Sequence, residues 1–189
     1  GERIERCSGP VQFGQERRDF MVRRGGFAAA IGCGRGCDGL GGRFVTGPGF
    51  TVILVIRWLL QACASVDEAL LRLAEAAIPH RMAQNLVLLE RSGAHAVVYL
   101  SPDREMVVER GLVGCTNHQG RVEVPQHGAF TRKEERLAYL QAHDGALTLA
   151  DFLRPPLYQQ RYLEHFGTLY SAEYDPAAGR LRLAWPGRE

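Results

Sequence analysis

The stretch "QNLVLLERSGAHAVVYLSPDREMVVERG" (84–111) limits this chain's fold more than any other. Two apolar runs, Asn85–Glu90 and His95–Leu100, are separated only by a short turn centred on Ser92-Gly93. Pro102-Asp103 then marks a second reversal before Met106–Arg110. Strands joined by turns this short must run antiparallel, because a parallel pair needs a crossover of a dozen or more residues. The next run, Gly111–Cys115, reads as a further strand.

Helices flank this run on both sides. "TVILVIRWLLQACA" (51–64) is apolar nearly all round, which marks a buried helix. It is too short for a bilayer span and carries Arg57 at its middle. "SVDEALLRLAEA" opens with Ser65 and has Glu68 three residues later, in capping-box spacing. Leu70, Leu71, Leu73, Ala74 and Ile78 supply its apolar side, and Pro79 stops it. "TRKEERLAYLQAH" (131–143) is amphipathic, with Leu137 and Leu140 on one side and Thr131 with Glu134 again in capping-box spacing. "TLADFL" is a short helix ended by Pro155-Pro156. "GTLYSAEYD" and "RLRLAWP", joined by "PAAG", form a terminal hairpin. Helices grouped in sequence beside hairpin-linked strands make the class α+β with an antiparallel sheet.

The first fifty residues are of another character. They hold more than half of the 22 glycines and many of the arginines, and apart from "FAAAI" no regular period persists. Regular patterning sets in only after Phe50, and the chain is divided into an irregular Gly/Arg-rich segment, 1–37, and a remainder, 38–189. "GCGRGCDG" lacks the strand and the Gly-Lys-Ser/Thr ending of a phosphate loop.

A net charge of +2 over 189 residues, with basic and acidic side chains intermixed, offers no nucleic-acid footprint. No apolar leader is visible at the charged N-terminus. The five cysteines, at 7, 33, 37, 63 and 115, match no zinc or disulfide framework and read as reduced thiols of a cytoplasmic protein.

Chemistry concentrates in "GCTNHQG" (114–120). Cys115 and His118 suggest a thiolate–imidazole pair, or with His127 a metal site; the Asn117 amide suggests a donor to a developing oxyanion. Asn and His that satisfy backbone groups at a strand end are the plainer alternative. Strand alternation places Cys115 and Asn117 on the face of Val113 and turns His118 away, which weakens the Cys-His pair. Arg136 on the amphipathic helix reads locally as a solvated charge, and Trp185 with the tyrosines of the last hairpin as core.

The ordered series "FTVILVIRWLLQACASVDEALLRLAEAAIP", "QNLVLLERSGAHAVVYLSPDREMVVERG", "GCTNHQ", "FTRKEERLAYL" and "GTLYSAEYDPAAGRLRLAWPG" resembles the acyl-CoA:6-aminopenicillanic acid acyltransferase family. That family is related to the choloylglycine hydrolases among the N-terminal nucleophile (Ntn) hydrolases. The resemblance implies a four-layer αββα sandwich with antiparallel sheets, and acyl transfer or amide hydrolysis through an acyl-thioester. It implies a cysteine nucleophile exposed at a mature N-terminus by self-cleavage, mapped onto Cys7; an oxyanion donor, mapped onto Asn117; and a basic residue, mapped onto Arg136. It implies no metal or organic cofactor, and a small-molecule amide or acyl-CoA substrate rather than nucleic acid or membrane. The chain departs from the family pattern at its start: Arg6 precedes Cys7, and "RRDF" with Asp19 lacks the asparagine of the family's Arg-Asn-x-Asp segment. On that basis the sandwich is expected to be incomplete at the N-terminus. A remnant or binding module that keeps the fold without the nucleophile is the competing expectation.

Overall fold

The computed structural model describes residues 11–12, 20–23, 27–34, 52–76, 83–101, 104–112, 114–116, 131–143, 147–164 and 166–186. Its centre is a five-stranded sheet of β2 (Phe20–Arg23), β3 (Phe27–Gly34), β4 (Ala83–Glu90), β5 (His95–Ser101) and β6 (Arg104–Arg110), in that spatial order. Every neighbouring pair is antiparallel. The expected turn at Ser92-Gly93 is present: Gly93 adopts φ +90°, a region open to glycine, and its N–H donates to the Glu90 carbonyl at 2.9 Å.

Register divides the side chains of this sheet between two faces. Leu86 stands opposite Val98 and Leu88 opposite Ala96, while Val87 stands opposite Val97 and Asn85 opposite Tyr99. The first set packs with Leu100 under α1 (Val52–Ala62) and α2 (Val66–Glu75), against Val55, Ile56, Leu59, Leu60, Cys63, Val66, Ala69 and Leu73. Each large aliphatic side chain buried there is worth roughly 1.5–3 kcal/mol of transfer free energy. Val87, Val97 and Tyr99 are buried on the opposite face. Because both faces are covered, β4 and β5 read as continuous apolar runs rather than as alternation. β6 is the edge, and the charges of Glu105, Glu109 and Arg110 along it oppose pairing with another strand.

The capping of α2 follows its sequence with one change. Ser65 Oγ accepts from the Glu68 N–H at 3.2 Å, but the Glu68 carboxylate accepts from Ala64 N–H at 2.9 Å rather than from Ser65. Glu90 Oε2, at the end of β4, accepts from Val66 N–H at 2.9 Å and ties the start of the helix to the sheet. The buried stripe is Val66, Ala69 and Leu73; Leu71 is 68% exposed and Ala74 also faces outward. Leu71 and Ala74 were misplaced because only the 3–4 spacing from Val66 follows one helical face; Ile78 lies outside the described residues.

Two further expectations are corrected. Within 1–37, β1 (Val11–Gln12), β2 and the eight-residue β3 are strands where irregular chain was expected beyond "FAAAI". β3 pairs with β4 along its whole length, so long-range pairing supplies what glycine-rich local sequence does not. Conversely, Gly111, Leu112 and Gly114–Thr116 are not strand. Gly111 adopts φ +73°, which ends the extended conformation and turns the chain off the edge.

The terminal hairpin, β9 (Ser171–Asp175) and β10 (Arg180–Ala184), forms as read and joins β1 in a three-stranded antiparallel sheet. Tyr174 is buried there, whereas Trp185 and Tyr170 are exposed, against the expectation of core. Their rings tilt together at 6.2 Å. A two-stranded ladder of β7 (Gln160–Arg161) and β8 (Phe166–Gly167) precedes it. Beside it Tyr162 donates its hydroxyl to the Thr168 carbonyl at 2.6 Å and lies 2.5 Å from the buried Tyr158 hydroxyl. Among the described residues no helix is long and apolar enough to cross a membrane.

Candidate active site at the end of the central sheet

After Gly111 the chain folds onto the sheet face that α1 and α2 leave open, and Leu112 and Cys115 pack on Val87, Val97 and Tyr99. Three contacts hold this segment. His95 Nε2 lies 3.1 Å from the Leu112 carbonyl while its Nδ1 lies 3.1 Å from that of Gly93, so one imidazole links the β4–β5 turn to the segment. At Gly114, a Cβ would sit 2.8 Å from Leu140 Cδ1 and 3.0 Å from Leu140 Cβ; only a residue without a side chain permits this approach. Asn85 Nδ2 donates to the Thr116 carbonyl at 2.6 Å and lies 3.5 Å from Cys115 Sγ.

Cys115 is therefore engaged as packing and as a polar contact, with its Sγ also 3.3 Å from the Thr116 carbonyl. This agrees with a thiol held in the sheet face. Thr116 Oγ1 is buried and, among the described residues, has no hydrogen-bond partner.

Leu140 belongs to α3 (Lys133–Ala142). The buried stripe of this helix is Lys133, Arg136 and Leu140, at 3%, 2% and 6% exposure. The reading of Arg136 as a solvated surface charge is thus overturned: it stands one turn before Leu140, on the stripe that meets Gly114. Thr131 is buried as well. The expected Thr131–Glu134 capping box does not form, because Arg132 occupies the N-cap at φ +50° with no side-chain cap bond. Arg132 instead makes a two-pronged ion pair with Glu135, Nε to Oε2 at 2.6 Å. Two buried cations one turn apart are costly to desolvate, and both residues are engaged in interactions at their buried positions.

Asn117, His118, His127 and Cys7 lie outside the described residues, as does Asp19. Among the sites read from sequence, the structure thus brings Cys115 to the sheet face and Arg136 to the buried stripe of α3. Sequence reading missed Asn85, Thr116 and Lys133. An asparagine in an otherwise apolar strand, where that residue is depleted, was the available signal for Asn85.

A partly buried segment precedes Asn117 in sequence, a helix with a buried arginine packs against it through Leu140, and both rest on an antiparallel α+β frame. No curated protein matches the chain. The chain nevertheless belongs to the acyl-coenzyme A:6-aminopenicillanic acid acyl-transferase family, whose model matches residues 37–189.

Proposed function

We propose that this protein transfers an acyl group from a small-molecule amide or acyl-CoA thioester to an amine or to water, by the cysteine chemistry of Ntn hydrolases. The observation that supports this reading is the anchored segment that ends at Thr116, the residue before Asn117 in sequence, together with the close approach of Gly114 to Leu140 on the α3 stripe that also carries Arg136.

The sequence of events follows from the groups. Self-cleavage of the Arg6–Cys7 peptide bond exposes the Cys7 α-amino group, which takes the thiol proton. The thiolate attacks the carbonyl carbon, and the carbonyl oxygen becomes an oxyanion that accepts from the Asn117 side-chain amide. Collapse expels the amine or the CoA thiolate with the proton from the α-amino group and leaves an acyl-thioester on Cys7. Attack by an acceptor amine or water, again deprotonated by the α-amino group, releases the product. The Arg136 guanidinium, buried and permanently charged, stabilises negative charge in this low-dielectric setting. No metal or organic cofactor enters these steps.

Coverage of both faces of the five-stranded sheet supports a layered sandwich of the αββα kind, with α1 and α2 as one outer layer. A cytoplasmic location fits the reduced thiols expected of the chain.

The test is turnover of a panel of acyl-CoA thioesters and aromatic or aliphatic amides by wild type and Asn117→Ala. Loss of one oxyanion donor should lower kcat about 10²–10³-fold with KM little changed. Full activity in Asn117→Ala would remove that residue from the mechanism. No turnover of any donor by wild type would favour the remnant reading.

A further inference from the structure

We infer that Asn85 is a positioning residue: by holding the Thr116 carbonyl from the central sheet, it sets the peptide plane from which Asn117 projects. This rests on the reading of Asn117 as oxyanion donor.

Asn85 is 3% exposed and sits inside β4, paired with Tyr99 of β5. The ladder on both sides fixes its backbone, since β4 is flanked by β3 and β5. The side-chain orientation follows from chemistry. The group facing it at 2.6 Å is a carbonyl oxygen, which accepts only, so the amide must present its nitrogen. Cys115 Sγ, at 3.5 Å, accepts weakly from the same NH2 group. One side chain thus reaches two consecutive residues of the segment, thirty and thirty-one positions later in the chain.

The Thr116 oxygen belongs to the peptide group that contains the Asn117 nitrogen. Peptide planarity means that fixing this oxygen restricts the plane to rotation about one direction. His95 holds the Leu112 carbonyl, and Leu140 closes over Gly114, so the segment is fixed before, within and at its end. Asn85 is the last of these contacts before Asn117. An oxyanion donor must stand within a few tenths of an ångström of the developing charge, and an error of about 1 Å costs on the order of 10²-fold in rate. Asn85 therefore acts on catalysis through geometry, without touching the substrate.

Two measurements on the full chain separate this role from mere packing. The first is amide hydrogen exchange of the 112–120 peptide, followed by mass spectrometry, in wild type, Asn85→Ala, Asn85→Ser and the near-isosteric Asn85→Asp. The variants should exchange there at least about tenfold faster at pH 7, with β5 unchanged. A protonated carboxyl can donate where a carboxylate cannot. The excess exchange of N85D over wild type should therefore shrink as pH is lowered toward about 5, because burial raises a carboxyl pKa above its ordinary value of about 3.9. A purely structural defect would not recover with pH.

The second is kinetic. Asn85→Ala should lower kcat roughly 10–100-fold and leave KM within about twofold, and N85D should regain activity relative to wild type as pH falls. Asn117→Ala should lose kcat while leaving the exchange of the segment unchanged. If Asn117→Ala keeps full activity, or wild type turns over nothing, the oxyanion reading fails and the exchange data alone decide the anchoring by Asn85. Unchanged exchange in Asn85→Ala and Asn85→Ser, or an N85D defect that ignores pH, overturns the inference.

Discussion

Replacing Gly114 by alanine tests the packing that brings α3 onto the candidate site. The φ of Gly114 is not in the left-handed region, so its backbone carries no left-handed strain against alanine. On the unfolded-chain side the substitution should stabilise by about 0.4–1 kcal/mol, because alanine has fewer conformations to lose. The packing works in the opposite direction. The added Cβ would lie 2.8 Å from Leu140 Cδ1 and 3.0 Å from Leu140 Cβ, where carbon atoms prefer about 3.5–4.0 Å. Rotation of Leu140 can move Cδ1 away, but Cβ is rigidly attached to the helix. Relief therefore requires α3 to retreat by roughly 0.5 Å, and overpacking of this kind costs about 1–3 kcal/mol. The net expectation is a loss of about 0.5–2 kcal/mol in urea denaturation, with an unchanged m-value. Leu140→Ala removes the Cδ1 and Cγ contacts but keeps the Cβ at 3.0 Å, so it should relieve only part of that cost. In a Leu140→Ala background, itself destabilised by about 2–5 kcal/mol, Gly114→Ala should cost less than in wild type, a coupling of about 0.5 kcal/mol or more. Gly114→Ala that stabilises the wild-type background, or that costs the same in both, would refute the close approach of α3 to the segment.

Other expectations follow from single groups. Tyr158 is held up at about 12 by burial and by its bond with Tyr162, against 10.0 for an unhindered phenol. Folding thus favours the protonated form: that stability is fully present below pH 10 and is lost as pH rises through 12. Tyr158→Phe should remove this slope in denaturation measured across that window, and an unchanged slope would contradict the assignment. Arg136→Met should reduce kcat at least about tenfold, since the buried guanidinium charge is lost. A destabilised but fully active Arg136→Met would mark the arginine as structural.

Much of the frame was legible because local chemistry and tertiary structure agree. Ser92-Gly93 encodes its turn, Ser65 its cap, and the β9–β10 hairpin closes through Gly179 at φ +65°. The failures share one cause, which is that distant partners decide them. β3 is strand because β4 pairs with it, not because "FAAAIGCG" prefers extension. Arg136 and Lys133 sit on the same buried stripe as Leu140, yet two charges one turn apart read from sequence as a solvent face. Gly111–Cys115 has a strand's composition, but a left-handed glycine at its start directs it across the sheet instead. Asn85 is meaningful only beside Thr116, and nothing local records that proximity. The site was therefore visible as a motif but not as an arrangement.

Intact-mass spectrometry after brief exposure to acyl donors tests the central claim most directly. Wild type mixed with acyl-CoA thioesters and amides should gain the mass of one acyl group, mapped by peptide analysis to Cys7, and Cys7→Ala should gain none. The adduct should disappear on addition of an acceptor amine. An adduct that persists in Cys7→Ala, or none with any donor, would contradict acyl transfer through a Cys7 thioester.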